Sequence, residues 1–188
     1  MFRRLPMFAL AFGLSAFTVG LAQDKKDEKK DNKTTEKKVE KKAPPMPAVP
    51  PTAANVSYGP HPRNVLDFWQ AKSDKPTPLA FCIHGGGWQG GDKSGYYGRV
   101  KTFLDNGISV VTINYRLMAQ ANEQKVTPPV KAPLEDAARA LQFVRSKAGE
   151  WNIDKKRIGA TGGSAGGCSS LWLAFHDDLA DLEAAYHA

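Results

Sequence analysis

The stretch Arg157-Ile158-Gly159-Ala160-Thr161-Gly162-Gly163-Ser164-Ala165-Gly166-Gly167 decides the fold. Arg157 to Thr161 reads as a short strand, and Ala165 to Phe175 has the spacing of a buried helix through Leu171, Trp172 and Phe175. Between them Gly162-Gly163-Ser164-Ala165-Gly166 fits the pattern G-x-S-x-G. A serine on a sharp strand-to-helix turn stands exposed at the strand's carboxyl end, open to a substrate and to a base. Such a turn crowds strand against helix, so the residues two before and two after the serine must lack bulk. Gly162 and Gly166 meet that demand. The helix that opens at Ala165 points free amides and the positive end of its dipole at the same place. Ser164 is therefore the candidate nucleophile, and the Ala165 amide a candidate oxyanion donor. Alone, the pattern is weak, because five positions with two wildcards recur by chance in Gly-rich turns. A phosphate loop fits poorly, since Cys168-Ser169 follows Gly167 where Lys-Ser/Thr would be required.

Upstream, strand and helix patterns alternate. Asn64 to Trp69 reads as a strand, and Leu79 to Ile83 is a short apolar run suited to a strand buried on both faces. Tyr96 to Asp105 has helical spacing through Tyr97, Val100, Phe103 and Leu104, and Asn106-Gly107 stops it. Ile108 to Asn114 is rich in β-branched residues and reads as another buried strand. Tyr115 to Lys131 looks irregular. A strong helix opens at Pro133, with Ala137, Leu141, Val144 and Ala148 on one face and Gly149 at its end; Trp151 to Lys156 reads as a turn. The alternation predicts an α/β fold, a mostly parallel sheet with helices on both faces. Chemistry in such sheets gathers at the carboxyl ends of the strands.

A second Gly-rich loop lies at that edge. His84-Gly85-Gly86-Gly87-Trp88 directly follows Leu79 to Ile83. Consecutive glycines let the backbone turn so that amides face a cleft. Gly86 and Gly87 are the candidate donors to a developing oxyanion, with Gly85 shaping the turn. His84 abuts the strand, where its ring is expected to brace the loop rather than to act as a base. Gly85 to Gly90 also matches G-x-G-x-x-G, with Asp105 20 residues beyond Gly85. A dinucleotide site, however, needs a helix opening within the motif and an acid at the end of the second strand. The helix begins only near Tyr96, and Asn114 ends that strand.

Together the segments FCIHGGGWQGGDK (81–93), INYRL (113–117) and IGATGGSAGG (158–167) closely resemble the HGGG-type esterase/lipase branch of the α/β-hydrolase fold. They look most like its feruloyl- or acetylxylan-esterase-like exported members, and the resemblance runs from about Asn64 to Asp178. It implies a serine carboxylic ester hydrolase acting on a small-molecule ester through an acyl-enzyme on Ser164, with Gly86, Gly87 and Ala165 forming the oxyanion hole. It further implies that His84 and Asp92 shape the loop, that Tyr115-Arg116 packs beside the pocket, and that Asp136 anchors the 115–117 turn. Trp88 is either a wall of the substrate site or a packing residue. No metal or cofactor is implied. The peptidase branch of the same fold is the alternative reaction.

In that family the acid and then the histidine follow the serine along the chain, after later strands. Only 24 residues follow Ser164 here. His176 lies about 18 Å along the helix axis from Ser164, out of reach, and His187 sits in a short Ala-rich tail. The expectation is the N-terminal portion of an α/β-hydrolase, truncated after the nucleophile helix, with its last strand edge free to pair with another chain. A non-catalytic, partner-binding fragment is the second reading.

The first 54 residues read differently. Arg3 and Arg4 precede an apolar run from Met7 to Ala22, as in a secretory signal peptide; an uncleaved anchor is the alternative. Asp24 to Lys42 holds nine Lys and six acidic residues, so with Arg3 and Arg4 the first 42 residues carry +5 of the formal net charge of +7. The basicity belongs to this tail, which reads as a solvated spacer rather than a nucleic-acid or membrane-surface arm. Ala43 to Thr52 is a Pro-rich, extended linker. The expected organisation is a signal peptide over 1–22, a disordered linker over 23–54 and the hydrolase portion over 55–188, in an exported protein without nucleic-acid partners or a membrane span after cleavage. Cys82 and Cys168 are each expected to be small buried hydrophobes.

Overall fold

The structure, a computed structural model, describes residues 46–176. The signal-like run, the Lys-rich stretch and His187 lie outside the described residues.

Among the described residues five strands form one sheet: β1 (Ala53–Ser57), β2 (Val65–Trp69), β3 (Thr77–Ile83), β4 (Ser109–Ile113) and β5 (Ile153–Gly162), in the order β1-β2-β4-β3-β5. β4 and β5 both run parallel to β3, while β1-β2 and β2-β4 are antiparallel. The core of the sheet is thus the parallel trio that the two Gly-rich loops require, with an antiparallel pair at one side. Among the described residues four helices accompany it: α1 (Tyr97–Asp105), preceded by a 3-10 turn over Lys93–Tyr96, α2 (Met118–Glu123), α3 (Lys131–Ser146) and α4 (Ala165–Phe175).

The pleat sorts side chains between two cores. Leu79, Phe81 and Ile83 of β3, Val111 and Ile113 of β4, and Leu66 and Phe68 of β2 join Ala137, Ala140, Phe143 and Val144 of α3 and Leu173 of α4 on one face. Ala80 and Cys82, Val110 and Trp69 face the other way, with Tyr96 and Val100. Continuous apolar runs therefore give strands buried on both faces. Burying such side chains contributes about 1.5–3 kcal/mol each before entropy is subtracted.

Several elements differ from the sequence reading. Val49 packs into the second core, its carbonyl accepts from the Trp69 indole at 2.8 Å, and Thr52 Oγ1 accepts from the Gln70 amide at 2.9 Å. The described end of the Pro-rich stretch is thus docked on the sheet, and β1 begins at Ala53, ahead of the expected start at Asn55. α2 lies inside the segment read as irregular; six residues with only Ala121 buried leave no apolar period to detect. β5 begins at Ile153, within the expected turn, because its pairing with β3 jumps from Thr77↔Ile153 to Leu79↔Ile158 and loops out the charged residues between. Leu171 and Phe175 are 61% and 81% exposed, and Cys168 is exposed too. The buried face of α4 is Ala165, Gly166, Ser169 and Leu173. A helix apolar on nearly every side carries no period that selects its packed face. Cys82 is buried as expected, and both cysteines are free thiols.

Candidate active site

β5 ends at Gly162 and α4 begins at Ala165, leaving Ser164 on the turn between them with φ 53° and ψ −123°. Such a backbone is costly for a residue with a Cβ, of order 1–3 kcal/mol, and persists where neighbours over-determine it. The neighbours here are close. A Cβ on Gly162 would lie 2.3 Å from the Gly166 carbonyl carbon, and one on Gly166 would lie 2.1 Å from the Ile83 carbonyl oxygen. Strands β3 and β5 and helix α4 therefore meet at backbone contact. Ser164 itself is exposed, and its hydroxyl does not cap α4.

The glycine loop stands directly beside this turn. A Cβ built on Gly85 would lie 3.5 Å from Ser164 Cβ and 2.6 Å from the Gly163 carbonyl oxygen. The chain then doubles back: the Gln89 and Gly90 amides both donate to the Gly86 carbonyl, at 2.9 and 3.2 Å, with Gly86 at φ +102°. The amides of Gly86, Gly87 and Ala165 donate to no acceptor among the described residues. Trp88 closes the loop onto the nucleophile helix, its indole donating to Ser169 Oγ at 3.1 Å, while Ser169 Oγ donates to the Ala165 carbonyl at 3.0 Å. Trp88 also packs against the larger core.

His84 is buried and stacks on Tyr115 with ring centroids 4.2 Å apart. Its Nδ1 lies 2.8 Å from the Gly85 carbonyl, which can only accept, so this nitrogen carries the proton. Nε2 faces the Arg63 guanidinium at 3.5 Å. Burial pushes the ring's pKa down, Arg63 adds to that, and the Gly85 carbonyl and Asp92 oppose it, with a net lowering. Tyr115 donates to the His84 carbonyl at 2.7 Å. These contacts brace the loop from below. Asp92 accepts from the Ser94 amide at 2.9 Å and from Asn114 Nδ2 at 2.7 Å. Burial alone would raise its pKa, but these donors hold the carboxyl below the usual range. Asp136 accepts from the Arg116 amide at 2.8 Å and from its guanidinium Nε and Nη2, so it anchors the 115–117 turn as anticipated.

Some residues are not brought together. His176 lies at the far end of α4, against the Trp172 ring, with Nδ1 2.9 Å from the Trp172 carbonyl. Among the described residues no histidine hydrogen-bonds Ser164. Asp105, the acid of the dinucleotide alternative, pairs with Lys101 on the surface. No group of three or more His, Cys, Asp or Glu among the described residues is placed to hold a metal ion, and no helix among them is long and apolar enough to cross a membrane. Sequence reasoning overlooked the contacts of Arg63 with Tyr115 and of Ser169 with Trp88, which span 52 and 81 residues and leave no local signature.

The chain is similar to several known proteins. "Gut esterase 1" of Caenorhabditis briggsae is 36% identical over 113 residues, which cover 58% of this chain and 20% of that protein. A solved structure described as a truncated form of a carbohydrate esterase from gut microbiota aligns with 28% identity and a TM-score of 0.55, over 63% of this chain and 41% of that one. The apo form of Thermogutta terrifontis esterase 2 aligns with 26% identity and a TM-score of 0.55, over 69% and 47%. The chain thus spans a fifth of the nematode relative and less than half of either solved structure. Residues 66–188 match the BD-FAE family profile, and the chain belongs to this family of α/β-hydrolase esterases.

Proposed function

We propose that this chain carries the nucleophile and oxyanion half of a carboxylic ester hydrolase. The observation that carries the reading is the exposed, strained Ser164 beside a glycine loop whose Gly86 and Gly87 amides have no acceptor among the described residues. In this reading Ser164 Oγ attacks the carbonyl of a small-molecule ester, and its proton passes to a general base that lies outside the described residues. The alkoxide that forms is held by the amides of Gly86, Gly87 and Ala165, donors already oriented before the substrate arrives; losing one such donor typically costs about 2.7–4 kcal/mol of transition-state stabilisation. The alcohol departs with a proton, and water then releases the acyl group from the serine. His84 and Asp92 hold the loop and take no proton from the serine. The signal-like Met1 to Ala22 supports export of the protein, and the Lys-rich stretch from Asp24 to Lys42 serves as its linker.

Turnover of p-nitrophenyl acetate by the purified chain, compared with Ser164→Ala, tests the reading. Release of p-nitrophenol above the Ser164→Ala background supports it. Equal rates from the two folded proteins would favour the reading of this chain as a non-catalytic fragment.

A further inference from the structure

Arg63 sits in the hairpin between β1 and β2, outside both motifs. β2 runs antiparallel to β4, with Leu66 opposite Ile113, so this hairpin lies at the carboxyl end of β4, beside the glycine loop. From there one guanidinium reaches three groups. Its Nε donates to the Tyr115 carbonyl at 2.7 Å, and its Nη2 donates to the Gly91 carbonyl at 3.1 Å while facing His84 Nε2 at 3.5 Å. His84 opens the glycine loop and Gly91 closes it. The two ends are in contact, since a Cβ on Gly91 would lie 2.5 Å from His84 Nδ1 and 2.6 Å from the Gly85 carbonyl oxygen. Gly86 and Gly87, the exposed middle of the loop, have no side chains of their own to hold them.

We infer that Arg63 is a positioning residue: it clamps both ends of the 84–91 loop to the end of β4 and so fixes the Gly86 and Gly87 amides facing Ser164. The inference rests on the serine reading above. The planar fork of arginine suits the task, because Nε and Nη2 project along one edge and serve two carbonyls at once, which the single ammonium of lysine cannot reproduce. A donor displaced by about 1 Å loses on the order of 100-fold in rate. The clamp leaves ground-state contacts with the ester untouched, so its loss lowers the acylation rate rather than the affinity. Arg63 also faces the proton-free nitrogen of His84, so its removal lets that ring accept a proton more readily.

The test compares wild type, Arg63→Gln and Arg63→Lys in the full chain. Amide hydrogen exchange over residues 85–91 and the His84 titration by NMR report the clamp without reference to chemistry. The rate of phosphonylation of Ser164 by a fluorophosphonate, resolved into limiting rate and half-saturation, reports its consequence. The expected result for Arg63→Gln is faster exchange confined to that loop, a higher His84 pKa, and a limiting rate lower by about 10- to 100-fold with unchanged half-saturation. Arg63→Lys, which keeps the charge should the glutamine variant fail to fold, recovers the His84 titration but only part of the rate. Unchanged loop exchange and an unchanged limiting rate in either folded variant overturn the inference while leaving the serine reading intact. If wild type takes no label at Ser164 and the loop still loosens in the variants, the serine reading fails and the clamp stands.

Discussion

Replacing Gly166 with alanine puts a methyl carbon 2.1 Å from the Ile83 carbonyl oxygen and 2.9 Å from that of His84. Both obstacles are backbone, one at the end of β3 and the other at the start of the glycine loop, so neither moves aside by a rotamer change. Overpacking a tight site typically costs about 1–3 kcal/mol, and a collision with two fixed carbonyls belongs at the top of that range. Alanine's better helix propensity returns about 1 kcal/mol, since Gly166 lies in the first turn of α4. The net is about 2 kcal/mol of destabilisation. With a urea m-value of about 1–3 kcal/mol/M, the midpoint should fall by roughly 1 M. Urea unfolding followed by the fluorescence of the four tryptophans measures this. Gly163→Ala is the control, because a Cβ there meets nothing within 4 Å; its stability should stay within about 0.5 kcal/mol of wild type. Equal midpoints for the two variants would mean that β3 and α4 do not approach at backbone contact, and the reasoning that places the loop beside Ser164 would fail with them.

Three further outcomes follow from the same geometry. Ser164→Gly should raise the urea midpoint, because glycine relieves a backbone costing about 1–3 kcal/mol and gives back about 0.5–1 kcal/mol in unfolded-chain entropy; a lower midpoint would show the turn to be unstrained. Asp136→Ala should destabilise by about 3 kcal/mol, since it strands a guanidinium with 18% side-chain exposure opposite a carboxylate site with 1%; a loss below about 1 kcal/mol would show that Arg116 finds water instead. The lowered pKa of His84 also has a definite sign. Below the unfolded value of about 6.5 the unfolded chain binds the proton first, so stability falls as the pH drops from there through the folded pKa. Urea midpoints at pH 7.5 and 5.5 should therefore differ less in His84→Gln than in wild type, and an equal difference would contradict the buried, neutral ring.

What was legible in the sequence was what depends on neighbours along the chain. The runs 79–83 and 108–114 announced buried strands because β-branched and apolar residues in short continuous stretches have few other homes. Gly162 and Gly166 announced a backbone contact because that turn tolerates no side chain. The features that escaped depend on distant partners. Trp88 and Ser169 are 81 residues apart and Arg63 and Tyr115 are 52 apart, so neither pair leaves a period or a motif. The exposed flank of α4 escaped for the opposite reason: Leu171 and Phe175 share the helical spacing of core residues, and hydrophobicity alone does not tell which apolar side meets the sheet. Val49 was hidden by its prolines, which signal an extended chain but not the surface on which it lies.

The most direct measurement is a crystal structure of the chain after reaction with a fluorophosphonate, which leaves a tetrahedral phosphoryl centre on the attacking oxygen. The account predicts a single adduct on Ser164, with its phosphoryl oxygen at roughly 2.7–3.1 Å from the amides of Gly86, Gly87 and Ala165. An adduct on another residue, or one on Ser164 whose phosphoryl oxygen points away from all three amides, would contradict it.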